Sequence, residues 1–344
     1  MLTQTVLGRV FDYSHAVGGT YIPQVVGITF GKGDSVYTIS RPTDAISGVE
    51  WNKTGVDAKV VKLKIGNVPG DEEHLLNIGK YGDDEGEFIW PAGIALDTDE
   101  NIFVTDEWMN RVSIFDSQGN FLRCWGQEGN GEGQFNKPSG IAIDNEENVF
   151  VVDSLNHRVQ KFTKEGQFLS NWGDFGSAEG EFDSPWGLGL DGDNNVYIAD
   201  HKNHRVQKFT SEGEYLMSFG SEGVGRGELT RPSDVAVDPD GDVYVCDWAN
   251  DRVNVYGPEG DFLTKFIGDA QELAKWHKLQ VDSNIDVIKA RRRAYSLEPE
   301  WRFAMPTSVE FDKDKNRLMV ADTQRGRIQI YNKLQDYMEP QFNL

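Results

Sequence analysis

The chain has 344 residues, 38% hydrophobic and 11% aromatic, with a formal net charge of −22. It can fill a core, which excludes a disordered chain, and its acidity excludes nucleic acid as a partner, because phosphates call for a basic footprint. No apolar run reaches the length of a membrane span, and the first residues lack the charged and apolar regions of a secretory leader, so a cytoplasmic protein without a membrane partner is expected.

In chain order, the first strand pattern is Tyr13-Ser-His-Ala-Val-Gly18, where His15 is expected to be an exposed strand residue. A degenerate unit follows, with strands expected at Gly27 to Phe30, Val36 to Ser40, Lys59 to Ile65 and His74 to Ile78. The pattern then becomes regular. Pro91, Pro138, Pro185 and Pro232 are each 47 residues apart, as are Asp106, Asp153, Asp200 and Asp247, and Arg111, Arg158, Arg205 and Arg252. A fixed period of this size marks a repeat architecture.

Each unit reads as four short strands: Pro138 to Asp144, Asn148 to Asp153, Arg158 to Phe162 and Phe168 to Gly173 in one copy. The runs are rich in Val, Ile and Phe and bounded by Gly, Asp and Asn, the marks of strands joined by tight turns. A four-stranded antiparallel sheet cannot bury both faces alone, so the units must stack, and radial stacking gives a β-propeller. Cys124 and Cys246 fall in different units and read as reduced core thiols.

After Gly268 the period breaks. Residues 269–305 replace the usual linker, and the spacing of Leu273, Trp276, Val281, Ile285, Ile288 and Tyr295 predicts one or two amphipathic helices. A last unit begins at Pro306, with Asp322 and Arg327 in the repeated positions but only three clear strands, and Tyr13 to Gly18 is expected to supply the fourth. The predicted fold class is all-β: one domain over 1–344, a six-bladed β-propeller of four-stranded antiparallel blades. The N-terminal strand closes the ring, which removes open sheet edges, and a helical insertion sits between blades 5 and 6.

The repeated Asp and Arg are read structurally, since a carboxylate can accept loop N–H groups and a guanidinium can fork onto it. The acidic turns, such as Asp144-Asn-Glu-Glu-Asn148, lack the Gly and terminal Glu of an EF-hand loop and read as hairpin turns.

The stretches Asp153-Ser-Leu-Asn156-His157-Arg158-Val, Asp200-His-Lys-Asn203-His204-Arg205-Val and Asp247-Trp-Ala-Asn250-Asp-Arg252-Val resemble NHL repeats, over about residues 20 to 332. The resemblance implies that the blade-to-blade loops and the loops joining second to third strands share one face, here the top. Some similar propellers are peptidyl-hydroxyglycine amidating lyases, with zinc-binding histidines just after the Pro that opens a first strand. This chain has Ala92, Ser139, Trp186, Ser233 and Thr307 there, so that zinc site does not carry over. Related propellers include calcium-dependent lactonases.

On this orientation the copies disagree at the upper mouth of the channel. Arg41, Glu107, Trp108, His201, Trp186, Trp248 and Thr323 offer a cation, an acid, an imidazole, indoles and a hydroxyl, the mixture of a ligand pocket. Glu107 and His201 are candidate catalytic groups, with Arg41, Trp108, Trp186, Trp248 and Thr323 as substrate contacts. Deeper in the channel, Asp234 and Glu310 stand where other blades have small residues. Paired carboxylates there suit acid–base work or a divalent cation, calcium before zinc. The insertion, with Trp276, His277, Arg291, Arg292, Arg293 and Trp301, is expected to cap the top face. Together these predict a lyase or hydrolase acting on a small-molecule substrate; the alternative is a non-catalytic scaffold with a protein partner.

Overall fold

The computed structural model describes residues 3–42 and 57–335. Blade 1 comprises strands Val25–Phe30, Ser35–Ser40, Lys59–Lys64 and Glu73–Ile78. Blades 2, 3, 4 and 5 repeat it, starting at Pro91, Pro138, Leu188 and Pro232 and ending at Trp125, Trp172, Phe219 and Phe266. These five sheets are antiparallel and ordered from the axis outward as the chain runs. Pro91, Pro138 and Pro232 stand at the first residue of the innermost strand, where a missing N–H costs no ladder bond, while Pro185 lies just before the shorter strand of blade 4.

Blade 6 contains both ends of the described chain. Strands Pro306–Asp312, Arg317–Asp322 and Arg327–Leu334 are joined by Arg9–Gly18, which pairs antiparallel with the last of them. Thr3–Val6 then turns back along Arg9–Gly18, giving this blade five strands where four were expected. The extra strand and the insertion cover the outer edge, and His15 is accordingly 1% exposed, a correction to the expected exposed residue. Its Nε2 donates to the Ile65 carbonyl at 3.0 Å, and burial holds its pKa below the usual range.

The core lies between blades. One cluster joins Tyr244, Val253 and Phe266 of blade 5 to Val309, Phe311 and Leu318 of blade 6, and others repeat this around the ring. Each such side chain contributes about 1.5–3 kcal/mol by burial. Both cysteines are free, Cys246 buried and Cys124 partly so.

The repeated Asp and Arg weld each linker to its blade. In blade 5, Asp247 Oδ1 accepts from the Thr230 N–H at 2.6 Å, and its Oδ2 from Asn250 at 2.8 Å and Arg252 Nε at 2.6 Å. Arg252 Nη2 donates onward to the carbonyls of Gly225 and Glu228. Asp153 with Arg158, Asp200 with Arg205 and Asp322 with Arg327 do the same. The acidic hairpins are Asx turns: Asp144 Oδ1 accepts from the N–H groups of Glu146 and Asn148 at 2.9 and 2.8 Å.

Blade 5 modifies its hairpin. Asp238, Asp240 and Asp242 converge, with one oxygen from each within 4.8 Å of the others. Lys333 Nζ enters that cluster at 2.5, 2.8 and 2.9 Å, and Arg9 holds Asp242 in a two-bonded fork at 2.6 and 2.7 Å. Lys333 and Arg9 lie on the two strands that close the ring, so this ion cluster rivets the closure to its neighbour.

The insertion is helical, at Lys275–Asp282, Ile285–Arg293 and Glu298–Trp301. It does not cap the channel. Trp276 packs among Val17, Ile22 and Val61, and Ala270 and Ala274 lie against Ala16. Lys275 bonds to Glu72 and Gly70 in a loop of blade 1. These contacts seat the helices on the flank where blade 6 meets blade 1, and no residue of 269–305 lines the bore or the cavity beside its mouth.

Candidate functional site

The innermost strands crowd at the axis. At Gly187 an added Cβ would lie 2.4 Å from both Asp234 Oδ1 and the Ser233 carbonyl, so no larger residue fits. The upper bore is correspondingly tight. Its cavity of about 50 Å³ has room for a few waters and none for an organic substrate.

Asp234 and Glu310 come together in that bore, as their neighbouring blades predict. Asp234 Oδ2 accepts from the Val309 N–H at 3.1 Å. Both carboxylates are ringed by protein while keeping part of their surface open to the bore. Desolvation pushes Asp234 up to about 7, and desolvation reinforced by the Asp234 charge pushes Glu310 up to about 8. The pair therefore retains protons where ordinary carboxylates are ionised.

At the mouth the predicted ring separates into three groups. Arg41 Nη2 meets Glu107 Oε1 at 2.6 Å, while its Nε donates to the Pro91 carbonyl and its guanidinium lies 5.1 Å from the Trp90 ring centre. Cation and acid thus satisfy each other. Thr323 is buried, its hydroxyl spent on the Val25 carbonyl at 2.7 Å and on Thr307 at 2.5 Å across the blade 6 to blade 1 seam, so it does not face a ligand. Trp108, the residue after Glu107, is 39% exposed.

The third group is a compact aromatic cluster. Trp186 packs edge to face on His201 and on Trp248, with ring centres 5.0 and 6.2 Å apart, and His201 and Trp248 are tilted to each other at 6.0 Å. Gly140 N–H and Ser139 hydroxyl both bond to the Trp186 carbonyl, which fixes that residue at the blade 3 seam. His201 Nδ1 lies 3.1 Å from the Pro232 carbonyl. A carbonyl only accepts, so Nδ1 carries the proton and Nε2 keeps its lone pair. Desolvation lowers the imidazole to about 4, which keeps it neutral at neutral pH.

Beside this cluster, between blades 3 and 4, lies a cavity of about 130 Å³ that Trp186, His201 and Glu107 share with Lys137, Ser139, Ser154, Leu155 and Ser184. Lys137 and Ser184 were not singled out by the sequence. Each precedes the Pro opening its blade and adopts a positive φ, of 58° and 50°. Variation at that third position of the repeat was the available signal.

Comparison with known proteins agrees with this architecture. A family model described as a 6-bladed beta-propeller matches residues 83–184, and an NHL repeat model matches residues 182–209 and 229–256. The chain carries NHL repeats in a six-bladed β-propeller. Protein lin-41 of Caenorhabditis elegans is 44% identical over 48 residues, a stretch covering 14% of this chain and 4% of that protein. Among solved structures, a protein of unknown function from Bacteroides thetaiotaomicron is 18% identical at a TM-score of 0.60, covering 91% of this chain and 70% of that one. A catalytically inactive virginiamycin B lyase from Staphylococcus aureus, with quinupristin, is 12% identical at a TM-score of 0.55, covering 94% and 100%. At such identities the likeness shows the fold alone.

Proposed function

We propose that this propeller is a recognition module that binds a small organic ligand at its upper mouth, on the Trp186, His201 and Trp248 cluster. The observation that carries this reading is a neutral imidazole whose Nε2 has no partner among the described residues, framed by two indoles and lining a cavity. Aromatic walls with a few fixed polar atoms are the usual make-up of such sites. Lyase or hydrolase chemistry is the second reading and has less support. Glu107 is engaged by Arg41, and an imidazole near 4 is a weak base at neutral pH. A thermal-shift screen of small organic compounds, followed by tryptophan fluorescence titration, tests the proposal. A ligand should bind the native protein and lose about tenfold or more in affinity in His201→Ala and in Trp248→Ala. Hits that bind both variants unchanged would refute it.

In the bore, our reading is that Asp234 and Glu310 retain protons near neutral pH; the competing occupant is a divalent cation, calcium before zinc. Two carboxylates in so small a space supply few of the six to eight oxygens that calcium takes. Folded-state pKa values of about 7 and about 8 lie above the ordinary carboxylate range. The folded protein thus binds more protons than the unfolded chain, so this pair's contribution to stability is greatest below about pH 4 and is lost as pH rises toward 8. Asp234→Asn with Glu310→Gln should flatten the fall in melting temperature between pH 5 and 8. A stoichiometric metal in dialysed protein, lost in that variant, would overturn this reading.

A further inference from the structure

In every blade the fourth strand from the axis carries a one-residue bulge against the third. In blades 1 to 5 the bulged residue is a leucine: Leu75, Leu122, Leu169, Leu216 and Leu263. In blade 6 the bulge falls between Tyr13 and His15, and the residue there is Ser14. Bulges re-aim side chains, and this one lets two consecutive residues of a strand meet. Ser14 Oγ lies 2.8 Å from His15 Nδ1.

The other side of the ring fixes the tautomer. His15 Nε2 donates to the Ile65 carbonyl, so Nδ1 keeps the lone pair and the Ser14 hydroxyl donates to it. A hydroxyl bonded to a base that a third group orients is the arrangement of an activated nucleophile. Desolvation holds the His15 imidazole below its usual range, so it is neutral and able to take a proton. Ser14 is half-buried and lines a cavity of about 340 Å³ with Tyr13, Asp269, Gln271, Glu272 and Leu273. Pairing with Thr3–Val6 stops at Asp12, so no strand among the described residues covers the outer side of Tyr13 to Ala16. The cavity lies on the flank, where the insertion passes the closing strand, and shares no residue with the cavity at the mouth. Its charged residues are carboxylates. Asp269 has Arg302 at 3.6 Å and Glu272 has no ion-pair partner among the described residues, which disfavours an anionic substrate.

We propose that Ser14 and His15 are a nucleophile and its general base, and that this cavity hydrolyses small uncharged or cationic carboxylic esters. Ser14 Oγ bonds to the ester carbonyl carbon as its proton passes to His15 Nδ1. The tetrahedral intermediate then collapses, the bond from carbon to the alcohol oxygen breaks, and Nδ1 gives its proton to the departing alcohol. Water attacks the acyl-serine in the same way, its proton passing by Nδ1 to Ser14 Oγ as the carboxylic acid leaves. Ester and water are consumed, acid and alcohol are formed, and no further reagent is needed. The Gln271 amide and the Tyr13 hydroxyl are side-chain donors in the cavity wall available to the oxygen that gains charge. This activity does not depend on ligand binding at Trp186 and Trp248.

The test is turnover of 4-nitrophenyl acetate by the whole protein, beside labelling with a fluorophosphonate probe located by peptide mass spectrometry. The native protein should hydrolyse the ester, and the probe should attach to Ser14. Ser14→Ala should lose about a hundredfold or more in kcat/KM and all labelling at this position. Its melting temperature should be unchanged, because the other blades tolerate leucine at this place. Ser14→Cys keeps a nucleophile and should still show a burst of 4-nitrophenolate. Native-rate turnover by Ser14→Ala, or a probe attached elsewhere, would overturn the proposal. So would a native protein that neither hydrolyses the ester nor takes the probe.

Discussion

Replacing Asp247 by alanine should lower unfolding free energy by about 3–5 kcal/mol, the typical cost of leaving one member of a buried ion pair alone. Arg252 would keep its guanidinium buried with only neutral carbonyls as partners, and Thr230 and Asn250 would lose their acceptor. The intact pair is no simple source of stability. Burial outweighs the bonds from Thr230, Asn250 and Arg252, and the Asp247 carboxyl sits above its ordinary pKa. Removing both charges, with Asp247→Ala and Arg252→Met, should therefore recover much of the loss. Urea unfolding of the two variants decides the matter; equal losses would mean that the linker bonds, and not the stranded charge, set the cost.

A comparable loss, about 3 kcal/mol or more, is expected for Lys333→Ala. The variant would leave Asp238, Asp240 and Asp242 facing one another, with only Arg9 to offset them. Asp238 and Asp242 are buried, so their repulsion is poorly screened. Three converging carboxylates are also a calcium donor set. Millimolar calcium should restore the melting temperature of Lys333→Ala and leave that of the native protein unchanged. A variant as stable as the native chain in calcium-free buffer would show that the rivet is dispensable.

The six blades and the closing strand were legible because a 47-residue period is imposed by geometry that every copy must satisfy. The same reasoning exposed Asp234 and Glu310 as departures from small residues at the axis. Other features arise from contacts between distant segments, where single-chain periodicity is silent. Thr323 reads as a polar loop residue, and its burial follows from the seam with Val25. Arg41 and Glu107 belong to different blades, and their pairing depends on how the ring brings those blades side by side. The insertion was placed over the mouth by its position in the chain. Trp276 carries it instead to an apolar seat on the flank, a preference that helical spacing alone does not encode.

The strand Arg9–Gly18 finds its inner neighbour in Arg327–Leu334, at the far end of the described chain. During synthesis it leaves the ribosome before any blade exists and waits, with only Thr3–Val6 beside it, for nearly the whole propeller to follow. Its open edge and its apolar Val10, Phe11, Ala16 and Val17 make it a ready template for another chain's edge in that interval. Nascent chains therefore face their greatest risk of mutual entanglement at this segment, and the rate at which the ring shuts, more than the speed of any single blade, governs how much escapes.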